Sequence, residues 1–236
     1  MKFLRTLVLF DRGDVMSSEG WAAVHQSYRR AIETIFHPLD RDTLTLRRKT
    51  RRQGSSQFNR NGVGFLRNRF LNNMVNVEKW HSEHIVDLLR DRKQEPVTLY
   101  PSLVQHYEPI TSDFGGFDFL TTTQDGIRVA IEWETGNISS SHRALNKLVI
   151  ALKHGTIHAG VLIVPSKELY IHLTDRIGNI SEVSGYLEMW QSLQCTISRG
   201  LLAVTVVEHD ALTDDPDIPY LPTANDGRAK QGRSRG

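Results

Sequence analysis

The chain has 236 residues with a net charge of +2, and 39% of its residues are hydrophobic. These values allow one large folded domain with a core, and no apolar run approaches the roughly 18 residues that a membrane-spanning helix needs, so a membrane protein is excluded. The single cysteine, Cys195, excludes an internal disulfide framework and suits a reducing compartment. We therefore expect a cytoplasmic protein with no membrane partner.

The start of the chain, MKFLRTLVLF, is briefly apolar before charge resumes at Asp11. No small-residue cleavage site follows, so we do not expect a signal peptide. We expect residues 1–15 to be an N-terminal extension, either a disordered arm or a mis-assigned start. Residues 16–227 are then expected to form the folded domain, and residues 228–236 a basic tail.

Positive charge is concentrated in two segments. Between Arg41 and Arg69, nine basic residues stand against one acid, and the tail from Arg228 has four basic residues and no acid. Such segments in a nearly neutral protein suit a partner with a phosphate backbone, although a solvated loop and a frayed tail would have the same composition. The densest run, Arg47–Arg52, is the candidate for phosphate contacts.

Hydrophobic periodicity and capping residues predict helices that alternate with strands. Helices are predicted at Trp21–Phe36, within Gly64–Arg92, from Ser139–Ser141 to Gly155, from Ser166 to Arg176 and at Ile180–Leu193; strands are predicted at Phe117–Leu120, Ile127–Glu134, Val161–Val164 and Leu201–Val207. This order predicts an α/β fold with a mixed central sheet flanked by helices.

Three acidic residues belong to the two strands of a predicted hairpin. Gln124-Asp125-Gly126 is a turn signal, and folding the chain about Asp125 pairs residues whose numbers sum to 250, which places Asp118 opposite Glu132. Cross-strand neighbours lie about 5 Å apart, and Glu134 follows on the same strand face, roughly 7 Å from Glu132. A turn of even length would slip this register by one residue.

The three carboxylates indicate a site for a divalent cation. A solvated strand face explains an isolated pair of glutamates. Three acids with apolar residues on the opposite strand face instead suit a hard cation with oxygen ligands, Mg²⁺ before Ca²⁺ or Mn²⁺. Like charges at this spacing are costly unless a cation or a proton compensates them.

The segment from Glu132 to Lys147, EWETGNISSSHRALNK, closely resembles the active-site segment of the BamHI family of type II restriction endonucleases. The likeness continues through Leu152-Lys-His-Gly155 and Leu173-Thr-Asp-Arg176, and it is dense between residues 130 and 182. The resemblance implies a restriction-endonuclease-like core of the PD-(D/E)xK type. It also implies Mg²⁺ as the cofactor, with two ions in each active site, Mn²⁺ as a substitute and Ca²⁺ as an inhibitor.

The resemblance further implies roles for the acids. Asp118, Glu132 and Glu83 match metal ligands, the main-chain carbonyl of Trp133 matches a further one, and Glu134 matches the residue that orients or deprotonates the attacking water. Most nucleases with this arrangement carry lysine at the position of Glu134. The segment between Glu83 and Asp118 is longer here than in BamHI, which indicates an insertion.

The family's base contacts fall on polar residues of this chain. Its major-groove positions correspond to Asn137, Ser139, Arg143, Asp175 and Arg176, and its minor-groove position corresponds to Asp226. Arginine suits guanine, asparagine suits adenine, and aspartate suits cytosine. Each residue also has an ordinary explanation as a cap, a turn residue, a solvated charge or an ion-pair partner. The unchanged identities at the five major-groove positions imply the target GGATCC.

A palindromic target implies a two-fold dimer. Lys153, His154 and Glu188 match polar positions of the family's dimer interface, whereas Gln191 departs from an acidic residue there. The sequence is therefore interpreted as a Mg²⁺-dependent, homodimeric restriction endonuclease that hydrolyses double-stranded GGATCC and leaves 5′-phosphate ends. The alternatives are a catalytically inactive DNA-binding relic of the fold, and a nuclease of the same fold with relaxed or structure-directed specificity.

Overall fold

The computed structural model describes residues 1–54, 56–80, 95–108, 115–174 and 177–222, together with the backbone of residues 82–84. In chain order the strands are β1 (Lys2–Arg12), β2 (Thr45–Arg47), β3 (Thr50–Arg51), β4 (Phe58–Asn59), β5 (Ser82–His84), β6 (Val97–Thr98), β7 (Gln105–His106), β8 (Phe117–Thr122), β9 (Arg128–Trp133), β10 (Ala159–Pro165), β11 (Gly200–Glu208) and β12 (Ala211–Thr213). The helices are α1 (Glu19–Glu33), α2 (Val63–Asn76), α3 (Ile138–Lys153), α4 (Lys167–Ile171), α5 (Ile180–Val183) and α6 (Leu187–Ser192).

A mixed sheet lies at the centre of the fold. Within the described residues its order is β1-β11-β10-β9-β8-β5. The three strands β9, β10 and β11 run parallel, and β1 and β8 pair with them antiparallel at either side. Strand β10 is buried at every residue, as expected for a parallel strand with helices on both faces. The predicted α/β fold with a mixed central sheet is confirmed.

Helices cover both faces of this sheet. On one face α1 and α2 bury Tyr28 and Phe70 together with Ile131 of β9. On the other face α3 buries Leu148 together with Leu162 of β10. Because β9 is covered on both sides, a charged side chain on this strand is buried unless it lies at the end of the strand.

The N-terminal segment is part of the sheet, and the prediction of a disordered extension over residues 1–15 was wrong. Strand β1 pairs with β11 from Lys2 opposite Glu208 to Arg12 opposite Gly200. Leu9 is 6% exposed and belongs to the core on the α3 side. The segment gave no local signal of this role because its partner strand lies almost 200 residues further along the chain.

The region after α2 also differs from the prediction. Helix α2 ends at Asn76, and Ser82–His84 form the edge strand β5, which pairs antiparallel with β8. Glu83 was expected on a helix one turn after Trp80, and it lies instead on this edge strand, next to the strand that carries Asp118.

Helix α3 is capped at its N-terminus by Asn137. The Oδ1 atom of Asn137 accepts hydrogen bonds from the N–H groups of Ser139 at 3.0 Å and Ser140 at 3.3 Å. Asn137, not the serines, is therefore the N-cap. Beyond the end of the helix, Gly155 has a φ of +64°, a left-handed conformation that glycine adopts without strain.

The two predicted helices after β10 are shorter than expected. Ser166 caps α4 by accepting from the N–H of Leu169 at 2.9 Å, but α4 ends at Ile171. The predicted helix Ile180–Leu193 is broken into α5 and α6 by a 3₁₀ turn at Ser184–Tyr186. Gly185 lies in this break, and glycine disfavours a helix interior.

No helix in the described part of the chain is long and apolar enough to cross a membrane.

Two leucines of β1 test whether the segment is integral to the fold. Leu9→Ala should lower the free energy of unfolding by roughly 2–4 kcal/mol because it leaves a cavity in the core. Leu4 lies on the same strand but is 41% exposed, so Leu4→Ala should change stability by about 0.5 kcal/mol or less. Urea denaturation of the two variants measures the difference, and equal small effects would mean that β1 is dispensable.

Candidate active site

The three predicted acids share one cleft. Asp118, Glu132 and Glu134 line a cavity of about 270 Å³ between α2, the β8–β9 hairpin and the beginning of α3. Three basic residues, Arg67 of α2 and Arg143 and Lys147 of α3, line the same cavity. The cleft therefore combines three carboxylates with three cations, and two of these cations, Arg67 and Lys147, are paired with acids.

The hairpin has the register that the sequence predicted. Phe119 lies opposite Ile131 and Leu120 opposite Ala130, so the paired numbers sum to 250. One residue beyond these pairs, Asp118 Oδ2 accepts a hydrogen bond from the N–H of Trp133 at 2.8 Å. This contact holds the Asp118 carboxylate beside the end of β9, where Glu132 and Glu134 lie.

Asp118 is also paired with a cation. Arg67 Nη2 lies 2.6 Å from Asp118 Oδ1, so both oxygens of this carboxylate have partners. The Arg67 side chain is partly exposed, with a relative accessibility of 29%. It can therefore leave Asp118 for solvent or for another anion at a modest cost.

Glu132 is largely buried, with 13% of its side chain exposed. Burial raises the pKa of the Glu132 carboxyl to about 7; the Lys147 ammonium opposes this shift, and the charges of Asp118 and Glu134 add to it. Glu132 Oε1 is in ion-pair contact with Lys147 Nζ, but it is buried and accepts no hydrogen bond of ordinary geometry from the described residues.

Glu134 follows β9 and lies at the turn into α3. Its own N–H donates to Ile163 O of β10 at 2.9 Å, and its Oε1 accepts from the N–H of Gly136 at 2.5 Å. The residue is only 4% exposed. Burial raises the pKa of the Glu134 carboxyl, and the Ser141 hydroxyl and the Gly136 N–H lower it.

This turn is joined to the segment that follows α4. The N–H of Gly178 donates to Gly136 O at 2.8 Å. The main chain at Gly178 lies so close to the beginning of α3 that a Cβ atom at position 178 would overlap the Ser141 hydroxyl. The main chain that holds Glu134 is therefore fixed in part by position 178, two residues after Arg176 in the sequence.

The predicted base-contacting residues divide into two groups. Asn137, Ser139 and Arg143 are exposed on the first turns of α3, and Arg143 also lines the cleft. The other predicted base contacts, Asp175, Arg176 and Asp226, lie outside the described part of the chain, as does the side chain of Glu83, which was predicted to be a metal ligand. Their roles stay predictions.

The donor set suits a hard divalent cation. Its carboxylate oxygens are the ligand type that Mg²⁺ prefers, and the buried Oε1 of Glu132 accepts no hydrogen bond of ordinary geometry from the described residues, so a cation could bind it by displacing the Lys147 ammonium. Trp133 also lines the cleft, and its carbonyl is the one oxygen that this residue can offer. No three His, Cys, Asp or Glu side chains among the described residues stand close enough to hold a metal ion. In this structure basic side chains pair with two of the acids: Arg67 with Asp118 and Lys147 with Glu132.

Two residues of this site were missed by the sequence analysis. Lys147 follows Leu145 and precedes Leu148 on a helix face that reads as core, and Arg67 lies in a basic region that reads as surface. A signal for Lys147 did exist, because a lysine within an apolar helical stripe is buried only when an anion compensates it.

Comparison with known proteins agrees with this geometry. A family model described as restriction endonuclease BamHI matches residues 1–228. The chain is 31% identical over 229 residues to the type II restriction enzyme OkrAI of Oceanobacter kriegii, covering 97% of this chain and 99% of that protein. It is 28% identical over 210 residues to the type II restriction enzyme BamHI of Bacillus amyloliquefaciens, covering 88% of this chain and 84% of that protein.

A solved structure shares the fold. Restriction endonuclease BglII complexed with a DNA 16-mer matches with a TM-score of 0.57 at 9% identity, covering 89% of this chain and 79% of that one. At this identity the likeness concerns the fold alone. The family match covers both β1, which had been predicted to lie outside the domain, and the whole acidic cleft, so the chain belongs to the BamHI family of type II restriction endonucleases.

Proposed function

We propose that the protein is a Mg²⁺-dependent endonuclease that acts as a homodimer on double-stranded DNA, cuts GGATCC and leaves 5′-phosphate ends. The observation that carries the proposal is the convergence of Asp118, Glu132 and Glu134 in one cleft, beside the exposed first turns of α3. A cytoplasmic location is part of the same proposal.

In this proposal each acid has a separate role. Asp118 and Glu132, with Glu83 from the neighbouring edge strand and the Trp133 carbonyl, would hold the divalent cations. Bound there, the ions would supply positive charge to the phosphate and lower the pKa of a coordinated water. Mn²⁺ would substitute for Mg²⁺, whereas Ca²⁺ would bind without supporting cleavage.

Glu134 would accept the proton of the attacking water. Its carboxylate lies in the cleft but outside the two ion pairs, and its raised pKa moves its basicity toward neutral pH. The Gly136 N–H fixes Oε1, and the proposal assigns the proton to the other oxygen, Oε2.

Recognition of GGATCC would come from the polar residues around the cleft. The exposed residues at the beginning of α3 are Asn137, Ser139 and Arg143. The N-terminal end of a helix can approach base edges in the major groove. Asp175 and Arg176 would complete the major-groove contacts and Asp226 a minor-groove contact, by the residue matches to the family.

The dimer would form through α3 and α6. These helices pack together through the indole N–H of Trp190, which donates to Asn146 Oδ1 at 3.0 Å. Near this contact the surface exposes Lys153, Glu188 and Gln191 along with the apolar side chain of Met189, which is 48% exposed. Exposed apolar area beside charged groups is the composition expected of a subunit interface.

Contacts with DNA phosphates would come from the β3–β4 hairpin and not from the whole basic run. Arg47 lies over the Tyr220 ring and Arg48 pairs with Asp214 at 3.3 Å, so both are held against the C-terminal part of the fold. Arg51 and Arg52 are exposed at the hairpin. Arg52 donates to uncharged partners, Asn59 and Gln57, which do not neutralise it.

Cleavage mapping tests the proposal against its alternatives. Incubation of a sequenced plasmid with Mg²⁺ should give cuts at GGATCC alone, whereas Glu134→Gln should bind GGATCC with near wild-type affinity and cut at least 100-fold more slowly. Binding without cleavage by the wild-type protein would indicate a DNA-binding relic, and cuts at many sites would indicate relaxed specificity. Cleavage by Glu134→Gln within tenfold of wild type would remove Glu134 as the base.

The salt dependence of DNA binding tests the hairpin. The double variant Arg51→Gln/Arg52→Gln should flatten the slope of log K against log salt by up to about 0.9 for each lost phosphate contact, without changing the preferred hexamer. Arg29→Gln is the control, because Arg29 is an exposed arginine of α1 that pairs with Glu33. An unchanged slope in the double variant would mean that the hairpin is only solvated.

The charge state of Glu132 gives a pH dependence of stability in the metal-free protein. Its pKa rises from 4.5 to about 7 on folding, so the folded state holds an extra proton between these values and its free energy of unfolding falls as pH rises through them. In EDTA, wild type should lose up to about 3 kcal/mol more stability than Glu132→Gln between about pH 5 and about pH 8. Urea denaturation at several pH values measures this, and parallel pH profiles would contradict it.

A further inference from the structure

Lys147 is a buried cation inside the cleft. It lies on α3 between core leucines and is 8% exposed, which is rare for lysine unless an anion compensates its charge. Its ammonium contacts Glu132 Oε1, the acid at the centre of the cleft. None of the roles implied by the family resemblance was assigned to this residue.

Two further contacts hold the Lys147 ammonium in addition to Glu132. Nζ donates to the main-chain carbonyl of Gly116 at 2.6 Å and lies 4.8 Å from the centroid of the Phe117 ring. Gly116 directly precedes β8 and Phe117 is its first residue, so both partners lie just before Asp118. The ammonium is therefore held by the same hairpin that carries the acids.

These contacts distinguish Lys147 from Arg67. Arg67 is partly exposed and can turn away from Asp118 when another cation arrives. Lys147 is only 8% exposed, so moving its ammonium into solvent would require neighbouring groups to move. It can release Glu132 Oε1 and still keep Gly116 and Phe117 as partners.

We propose that Lys147 is a positioning residue of the active site, which holds the Glu132 carboxylate at the cleft and competes with the divalent ion for Glu132 Oε1. The proposal rests on the proposed function, because it takes Glu132 as a ligand of the ion. Its physical basis is electrostatic: a fixed positive charge in contact with a ligand oxygen disfavours a second cation on that oxygen. The same fixed charge restricts the Glu132 side chain to one orientation, which favours a productive ion position over others.

Two opposite effects of removing the ammonium follow from this arrangement. An ion should bind more tightly, because its competitor is gone. Cleavage at saturating ion should become slower, because Glu132 has lost the contact that orients it. A side chain that only supports the fold would lower stability and activity together and would not tighten ion binding.

Isothermal titration with Mn²⁺, in the absence of DNA, measures the first effect. Lys147→Met should bind the ion at least about fivefold more tightly than wild type, while Lys147→Arg should stay close to wild type. Lys167→Met is the matched control, because it removes an equally charged lysine that is exposed at the start of α4. Single-turnover cleavage at saturating Mg²⁺ should be at least about tenfold slower in Lys147→Met.

A double-mutant cycle assigns the effect to Glu132. In the background of Glu132→Gln, the change Lys147→Met should leave Mn²⁺ affinity unchanged. If Lys147→Met fails to fold, Lys147→Gln makes the same comparison, since its amide can still donate to the Gly116 carbonyl.

Equal or weaker ion binding by Lys147→Met overturns the proposal, as does tighter binding that persists without the Glu132 carboxylate, or an absence of ion binding by every variant. Because the titration needs no DNA, a failure of the wild-type protein to cut GGATCC counts against the proposed function alone.

Discussion

The ion pair between Glu132 of β9 and Lys147 of α3 joins the central sheet to the helix that begins beside the cleft. Both groups are buried, and each is tolerated because the other compensates its charge. Removing one partner of such a pair costs about 3–5 kcal/mol, whereas replacing both by well-packed apolar side chains is often neutral or stabilising. A pair of apolar side chains such as leucines could therefore fill the space between β9 and α3 without a loss of stability. Two charges at a point where stability does not require them support the proposed role of the Glu132 carboxylate in the cleft.

The register of the β8–β9 hairpin is the second condition on the site. Asp118 reaches the end of β9 because residues 119–122 pair with residues 131–128, and the Trp133 N–H then receives its carboxylate. A slip of one residue would turn Glu132 toward the opposite face, where Phe70 and Phe119 pack edge to face. Hydrophobic packing on one face of the hairpin thus determines where the acids lie on the other.

The sequence predicted the parts of this protein that are encoded locally. The alternation in β9 and the turn at Asp125 were sufficient for the hairpin register, and the buried strand β10 was evident as an apolar run. Strand β1 could not be predicted, because its partner is β11 and nothing near residues 2–12 indicates that pairing. The edge strand at residues 82–84 was taken for a helix, because the stripe around Trp80 continues the period of α2. Lys147 and Arg67 were missed for a related reason: their role depends on acids contributed by other elements, which a linear pattern does not contain.

The close contact between Gly136 and Gly178 has a consequence for how this enzyme can change. The hydrogen bond between them connects the turn that orients Glu134 to a segment that begins two residues after Arg176. If Arg176 and Glu134 have their proposed roles, this hydrogen bond joins the segment that reads the DNA to the residue that takes part in cutting it. A substitution that moves the segment around position 178 to accommodate another base pair would then also move the Glu134 carboxylate. Under the proposed function, variants with a new target would arise through intermediates that cut poorly, which would keep the target sequence constant even while the rest of the chain diverges.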